Sequence, residues 1–315
     1  MIRFIFLGLA LVCFTAQVSA LERVRFATDW KAQAEQGGFY QAQALGFYEQ
    51  AGLDVQIIGG GAGVNIPQLL GAKAIEFGMG SNNFIPFTML AAGVPAQAVM
   101  AAFQKDPQVL ITHRRNDIKS LADMRGKPIM IADATRNSFW LWLKSQYGFS
   151  DKQIRKYTFN LAPFLVDTNA IQQGYITSEP YSIQKAGREA QVFLLADYNF
   201  TGYAAMVLAH NDLIASRPDI VRAFVQASIK GWQSYLFDNP RAGNRLILAA
   251  NPDMTQDRLD FAIKEIRTRA LAGNKNDIGT MDEARWQNFY QTMAAQGAFP
   301  KNLNWRNAFT LTFIE

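Results

Sequence analysis

The chain has 315 residues, 49% hydrophobic, 18% charged and 12% aromatic, with one cysteine, two histidines and a formal charge of +5. That length suits about two domains with real cores, and the apolar content is too high for a disordered chain. One cysteine excludes a disulfide framework and argues against a thiol-ligated zinc site; the densest cationic run, His113-Arg114-Arg115, is followed by Asp117 and reads as a solvated loop, not a nucleic-acid or membrane patch.

Taken in chain order, Met1-Ile2-Arg3 forms a short positive segment, Phe4 to Phe14 an apolar run, and Val18-Ser19-Ala20 a small-residue cleavage pattern. Together they predict a secretory signal peptide over residues 1–20, since the apolar run is short for a membrane span. Its removal leaves 295 residues, 30 basic and 26 acidic, a net charge of +4 and no cysteine. The expectation is a periplasmic, thiol-free protein, which excludes Cys-nucleophile chemistry.

Val24 to Thr28 alternates and predicts a strand; Gly37 to Ala51 has a helical pattern stopped by Gly52. Leu53 to Ile58 is a second strand ending in Gly59-Gly60-Gly61, and Asn65 to Ala72 a helix. Ala74 to Met79 is a third strand, after which Ser81 opens a helix through Leu90. Strands and helices alternating over short links predict a parallel sheet with right-handed crossovers. Further on, Gln97–Phe103, Gln108–Thr112, Lys127–Ala132 and Ala190–Leu195 read as strands, with helices at Leu121–Arg125 and Asn137–Tyr147. Beyond Asp212 the pattern is helical: Pro218–Asn239, Pro240–Ala250, Thr255–Thr268 and Met281–Gln296. The fold class is therefore α/β, in two lobes with a helical C-terminal section. Residues 21–107 with 198–315 form the first lobe and 108–197 the second, so the chain crosses between them twice.

No Gly-x-Ser-x-Gly elbow, His-Glu-x-x-His or P-loop motif is present. His113 and His210 are isolated and suit surface or structural roles. The glycine run fails the dinucleotide fingerprint because Val64 stands at the third position, although Gly61 follows a strand, where backbone can approach a ligand or simply turn. Asp29 to Tyr40 begins at the carboxyl end of the first strand, the usual ligand side of an open α/β sheet. There Trp30 can stack on a flat ring, and Tyr40 can stack or pack in the core. Ser81, Asn82 and Asn83 offer amides and side chains to acceptor atoms, or cap a helix. Asp133 to Trp140 is a second strand-to-helix junction. Thr177 to Tyr181 is a proline-braced turn with Glu179 beside Tyr181; its carboxylate suits an amino group on a heteroaromatic ring, or a plain surface turn.

In order, Asp29-Trp30 with Gly38-Phe39-Tyr40, Ala44-Leu45-Gly46-Phe47-Tyr48, Ala51-Gly52-Leu53-Asp54-Val55, Gly93-Val94-Pro95, Leu121 to Lys127 and Gln173-Gly174-Tyr175 running into Ser178-Glu179-Pro180 resemble the substrate-binding proteins of ABC importers. The similar branch includes nitrate, sulfonate, taurine and thiamine-pyrimidine-precursor binders, and the resemblance spans nearly the whole mature chain. It implies a type II periplasmic-binding-protein fold, two Rossmann-like lobes on a two-segment hinge. It further implies a small molecule held in the inter-lobe cleft and passed to a permease and ATPase. A monomer without cofactor, metal or catalysis is implied as well. The pyrimidine branch looks similar in its Trp-x7-Gly-x-Tyr opening, here Trp30, Gly38 and Tyr40, and in a Glu from the second lobe. That branch implies a 4-aminopyrimidine stacked between aromatic rings. With the strand-end residues above, the expected binding residues are Trp30, Gln36, Tyr40, Gly61, Ser81, Asn82, Asn83, Trp140, Glu179 and Tyr181. Gln36 stands where pyrimidine-synthase relatives carry a histidine, and the mature chain lacks their cysteines, so a binding role stands. Sulfonate or nitrate, held by Arg136 or Lys31 and helix N-termini, and a flavin remain alternative ligands.

Overall fold

The computed structural model describes residues 20–314; of the expected signal peptide, residues 1–19 lie outside the described residues. The described residues form ten strands: β1 (Glu22–Ala27), β2 (Leu53–Ile58), β3 (Phe77–Asn82), β4 (Ala96–Phe103), β5 (Gln108–His113), β6 (Ile129–Ile131), β7 (Ile154–Lys156), β8 (Ile171–Tyr175), β9 (Ala190–Leu194) and β10 (Ala204–His210). They form two five-stranded sheets, ordered β2-β1-β3-β10-β4 and β7-β6-β8-β5-β9. The two α/β lobes carry the helices Pro218–Phe237, Arg241–Ala250, Gln256–Thr268 and Glu283–Ala295 at the C-terminal end of the chain. No described helix is long and apolar enough to cross a membrane.

Neither sheet is purely parallel, which corrects the expectation from alternating strands and helices. β1 runs parallel to β2 and β3, but β10 lies antiparallel between β3 and β4. In the other sheet β6 is parallel to β7 and β8, while β5 is antiparallel to β8 and β9. The odd strands are the two that arrive from the opposite lobe. Each enters at the end where its neighbours finish, as the pairs Ala204 with Asn82 and Gln108 with Tyr175 record, so each must run backwards. The carboxyl ends of the other strands thus face the crossings, the side on which open α/β sheets bind ligands.

Local chemistry accounts for further differences. The helix expected over Gly37–Ala51 is split into Gly37–Ala44 and Phe47–Gln50 by Gly46, whose φ of +69° is left-handed. β3 starts three residues later than the apolar run suggests: Ala74–Glu76 lie outside the strand, and Glu76 pairs with the Arg25 guanidinium at 2.7 Å. Ser81 and Asn82 therefore end the strand, and the next helix begins at Phe84. In the first lobe Phe77 stacks on Phe224 (4.2 Å, 9°), Tyr48 covers it further along (5.2 Å), and Gly38 lets the helix Pro218–Phe237 approach so closely that a Cβ there would sit 2.1 Å from the Trp232 ring.

One guanidinium binds the two crossings together. Arg285 donates to the carbonyls of Gln104 in the first crossing and of Thr201 (2.8 Å) and Gly202 (3.2 Å) in the second, and lies 4.0 Å over the Tyr203 ring. Asn83 Oδ1 accepts the Tyr203 amide at 2.5 Å, and the amides of Gln104 and Lys105 both donate to Leu271 O, at 2.7 and 2.9 Å. Removing a charged donor from partly buried carbonyls leaves them unsatisfied. Arg285→Ala is expected to lower unfolding stability by about 2–4 kcal/mol in a urea titration, with Arg285→Lys recovering less than half because it cannot span both segments.

Candidate functional site

Thr28, directly after β1, is buried and sets the loop that follows. Its hydroxyl donates to Trp30 O (2.7 Å) and accepts from the Gly60 amide (3.1 Å), while the same amide also donates to Trp30 O. Gly60 is needed there: a Cβ would lie 2.1 Å from Thr28 O. This clamp presents Asp29 and Trp30 at the end of the sheet. The Asp29 carboxylate accepts from Ser81 Oγ at 2.5 Å and from Gln36 Nε2 at 3.3 Å, joining the ends of β1 and β3 to the 3-10 turn Ala34–Gln36.

Trp30 faces the second lobe. Its ring lies 4.7 Å from that of Phe159, which in turn lies 5.3 Å from Tyr157, just after β7. Phe159 has φ +61°, a backbone state that strains a bulky residue, and its ring is 43% exposed. Tyr157 donates to Glu179 Oε1 (3.2 Å), and Glu179 Oε2 accepts the Tyr175 amide (2.7 Å). Glu179 opens the helix Glu179–Lys185, whose neighbouring residues carry the other inter-lobe contacts. Thr177 donates to Glu35, Arg258 donates to Ser178 Oγ at 2.9 Å, Tyr181 donates to Asp257, and Lys185 pairs with Asp257 at 2.8 Å.

The electrostatics are those of buried acids. Burial raises Asp29, Glu35 and Glu179 above the ordinary carboxylate range, their hydrogen-bond donors pulling them only part of the way back. Asp106, in the first crossing, is pushed up to about 7 for the same reason. The Tyr175 hydroxyl, at the end of β8, is raised well above its usual value by burial and then by Asp106, Asp29, Glu35 and Glu179 in turn. Carboxylates from both lobes and from the crossing therefore act electrostatically on one phenol. Arg258 is the cation that acts on Glu35 and Glu179.

Of the residues expected in the site, Trp30, Gln36, Ser81 and Glu179 come together here, and Tyr181 stands at the lobe boundary against Phe261 (5.5 Å). Others lie elsewhere. Trp140 is wholly buried in the second lobe, packed on Phe149 with its indole N–H on Asp151 at 2.9 Å, so it belongs to the core. Tyr40 is buried too and borders an open pocket of about 560 Å³ walled by first-lobe residues such as Lys31, Gln43 and Leu246. Gly61 has open space around its Cα, and its neighbour Gly60 is the constrained glycine. Asn82 caps the Phe84 amide (3.1 Å), and Asn83 secures the second crossing. Lys31 and Arg136, considered for anions, are paired with Asp253 (2.9 Å) and Asp133 (3.1 Å) on exposed surface. His113 stacks on Phe164 (4.2 Å), and His210 accepts the Asp212 amide (3.0 Å); both are structural.

Glu35, Asp106, Tyr157, Phe159, Tyr175 and Arg258 were not anticipated. Glu35 and Tyr175 lie within segments singled out for the resemblance or the ligand loop, but Asp106 and Phe159 carry no local signal.

The titration of Asp106 makes a prediction with a definite sign. The folded protein holds this proton to about 7, whereas the unfolded chain releases it near the ordinary value of 3.8. Folding thus takes up a proton between those values, and this group's contribution to stability falls as pH rises through that window. Asp106→Asn keeps the oxygen that accepts the Gln108 amide (2.9 Å) and removes the charge. It is expected to stabilise the fold by up to about 4 kcal/mol above pH 7 and by little at pH 4, read from urea titrations at both values.

Residues 33–242, more than half of the chain, match the family described as NMT1/THI5 like. A riboflavin-binding protein of Chloroflexus aurantiacus is 25% identical, with 93% of this chain and 86% of the relative covered. A formylaminopyrimidine-binding protein of Halalkalibacterium halodurans is 23% identical, with 80% and 77% covered. Among solved structures, the alkanesulfonate-binding protein of Xanthomonas axonopodis pv. citri bound to MOPS has a TM-score of 0.69 at 13% identity, covering 93% of this chain and 99% of that one, a likeness of fold. With two mixed α/β sheets and a double crossing, the molecule has the periplasmic-binding-protein fold, and the chain belongs to the NMT1/THI5-like family.

Proposed function

We propose that this chain is an extracytoplasmic solute-binding protein of an ABC importer, closing its lobes on a 4-aminopyrimidine of the thiamine-precursor type and delivering it to a permease. The observation that carries the reading is Trp30 of the first lobe facing Phe159 of the second beside a group of buried carboxylates. Aromatic faces take up a flat heteroaromatic ring, and carboxylates accept from its amino group and strengthen if the ring is protonated. Anionic ligands suit the cleft poorly. Its acids outnumber Arg258, and Lys31 and Arg136 are engaged outside it. Ligand contacts made to both lobes at once favour the closed population, the form a permease can distinguish. The formylaminopyrimidine-binding relative supports the pyrimidine, while the riboflavin-binding relative, matched over 93% of this chain, supports a flavin as the second reading. The signal-peptide pattern of residues 1–20 supports export to the periplasm.

Melting curves with 4-amino-5-hydroxymethyl-2-methylpyrimidine, riboflavin and taurine test this. The aminopyrimidine at 100 times its Kd is expected to add about 2.7 kcal/mol of stability and raise Tm, with taurine inert. Trp30→Ala is expected to weaken the aminopyrimidine by about 1–3 kcal/mol in calorimetry. A Tm rise with riboflavin alone moves the assignment to the flavin, and a rise with taurine alone overturns the electrostatic argument.

A further inference from the structure

Asp106 sits in the first crossing, between Phe103 at the end of β4 and Gln108 at the start of β5. Gln108 pairs with Tyr175 at the end of β8, and Asn82 at the end of β3 faces the Asp106 carboxyl without closing an ordinary hydrogen bond. The residue therefore stands where carboxyl ends of strands from both lobes converge, the ligand side of each sheet. Its charge acts on the Tyr175 hydroxyl together with those of Asp29, Glu35 and Glu179.

The four differ in how they are satisfied. Asp29 is held by Ser81 and Gln36, Glu35 by Thr177, and both oxygens of Glu179 have donors. Asp106 is fully buried, with Oδ1 on the Gln108 amide, yet Oδ2 has no partner among the described residues. It is the one carboxylate among the described residues with a fully buried, unpartnered oxygen. Buried acceptors are normally paired, and an unpaired one is costly out of proportion to what a made bond contributes. Asn82 is the neighbouring donor but does not close an ordinary hydrogen bond to this oxygen, so a donor brought into the cleft would satisfy it.

We infer that Asp106 Oδ2 is a ligand-contact atom, accepting an N–H of the bound heteroaromatic at the hinge end of the cleft. The inference rests on the aminopyrimidine reading above and assigns the amino group a second acceptor besides Glu179, whose oxygens are already engaged. Because the donor arrives with the ligand, closure is favoured when an N–H-bearing ring is inside and disfavoured when the cleft holds a ring without one. The crossing segment would then read the ligand directly, and selectivity for amino-bearing rings would reside in the hinge.

Calorimetry on wild-type protein and Asp106→Asn, each with 4-amino-5-hydroxymethyl-2-methylpyrimidine and with the same ring lacking the 4-amino group, tests the contact. The Asn variant keeps the Gln108 bond, and a circular-dichroism melt checks its fold. Expected is a roughly 10- to 100-fold loss of affinity for the amino compound in the variant, with the des-amino compound bound equally by both proteins. Wild-type binding of the amino compound with no loss in the variant overturns the Asp106 contact and leaves the ligand reading standing. An equal loss for both compounds also overturns it, assigning Asp106 to hinge geometry alone. Wild-type protein that binds neither compound overturns the ligand reading, and the contact falls with it.

Discussion

The two crossings between lobes are held to each other by Arg285. A chain that passes twice between sheets brings bare backbone carbonyls to the hinge, where they must be satisfied without forming a sheet. Arg285 supplies a planar fork of donors reaching both segments, and Tyr203 packs under its charge. Asn83 and the Leu271 carbonyl complete the attachment, so the crossings are fixed to the helical C-terminal section and to β3. The incoming strands β5 and β10 then start at the hinge, and the ends of β3 and β8 are turned toward it. The ligand side of each lobe is a geometric consequence of where the chain crosses.

What accumulates on that side is acid paired mainly with neutral donors. Ser81, Gln36, Thr177, Tyr157 and backbone amides hold the carboxylates in place without cancelling their charge. Arg258 is the cation that acts on Glu35 and Glu179, while Lys31 and Arg136 pair outward with Asp253 and Asp133. A cleft built this way favours donors and positive charge, and the strained backbone of Phe159 aims an aromatic ring at Trp30 above it. Such strain persists where surrounding contacts over-determine it, here the tilted packing against Trp30 and Tyr157.

Legibility in the sequence followed burial pattern. β2 is an edge strand with alternating exposure, so Leu53 to Ile58 could be bounded to the residue. β10 has no sequence signal: all seven of its residues are buried between β3 and β4, and no alternation marks it. Glu179-Pro180 was taken for a turn although Pro in the first helical turn is also a start signal, and the helix Glu179–Lys185 follows from it. Trp140 was misplaced because a strand-to-helix junction does not say which face of the helix turns inward; here the ring reaches Asp151 beneath the second lobe. Trp30, Gln36, Ser81 and Glu179 were legible because each sits at or just beyond a strand end or in a segment shared with the family.

The sequence by itself determined an α/β chain of two lobes with a helical C-terminal section, no recognised catalytic motif, and an ordered set of family segments. Periodicity and residue type are local properties, and these conclusions need nothing more. Tertiary structure alone decided the direction of β5 and β10, the union of two crossings under Arg285, and the combined action of the Asp29, Glu35, Asp106 and Glu179 charges on Tyr175. Those residues are as far apart as 150 positions in the chain. Only strand order brings their segments to the hinge, and only burial raises these carboxylates above their ordinary range.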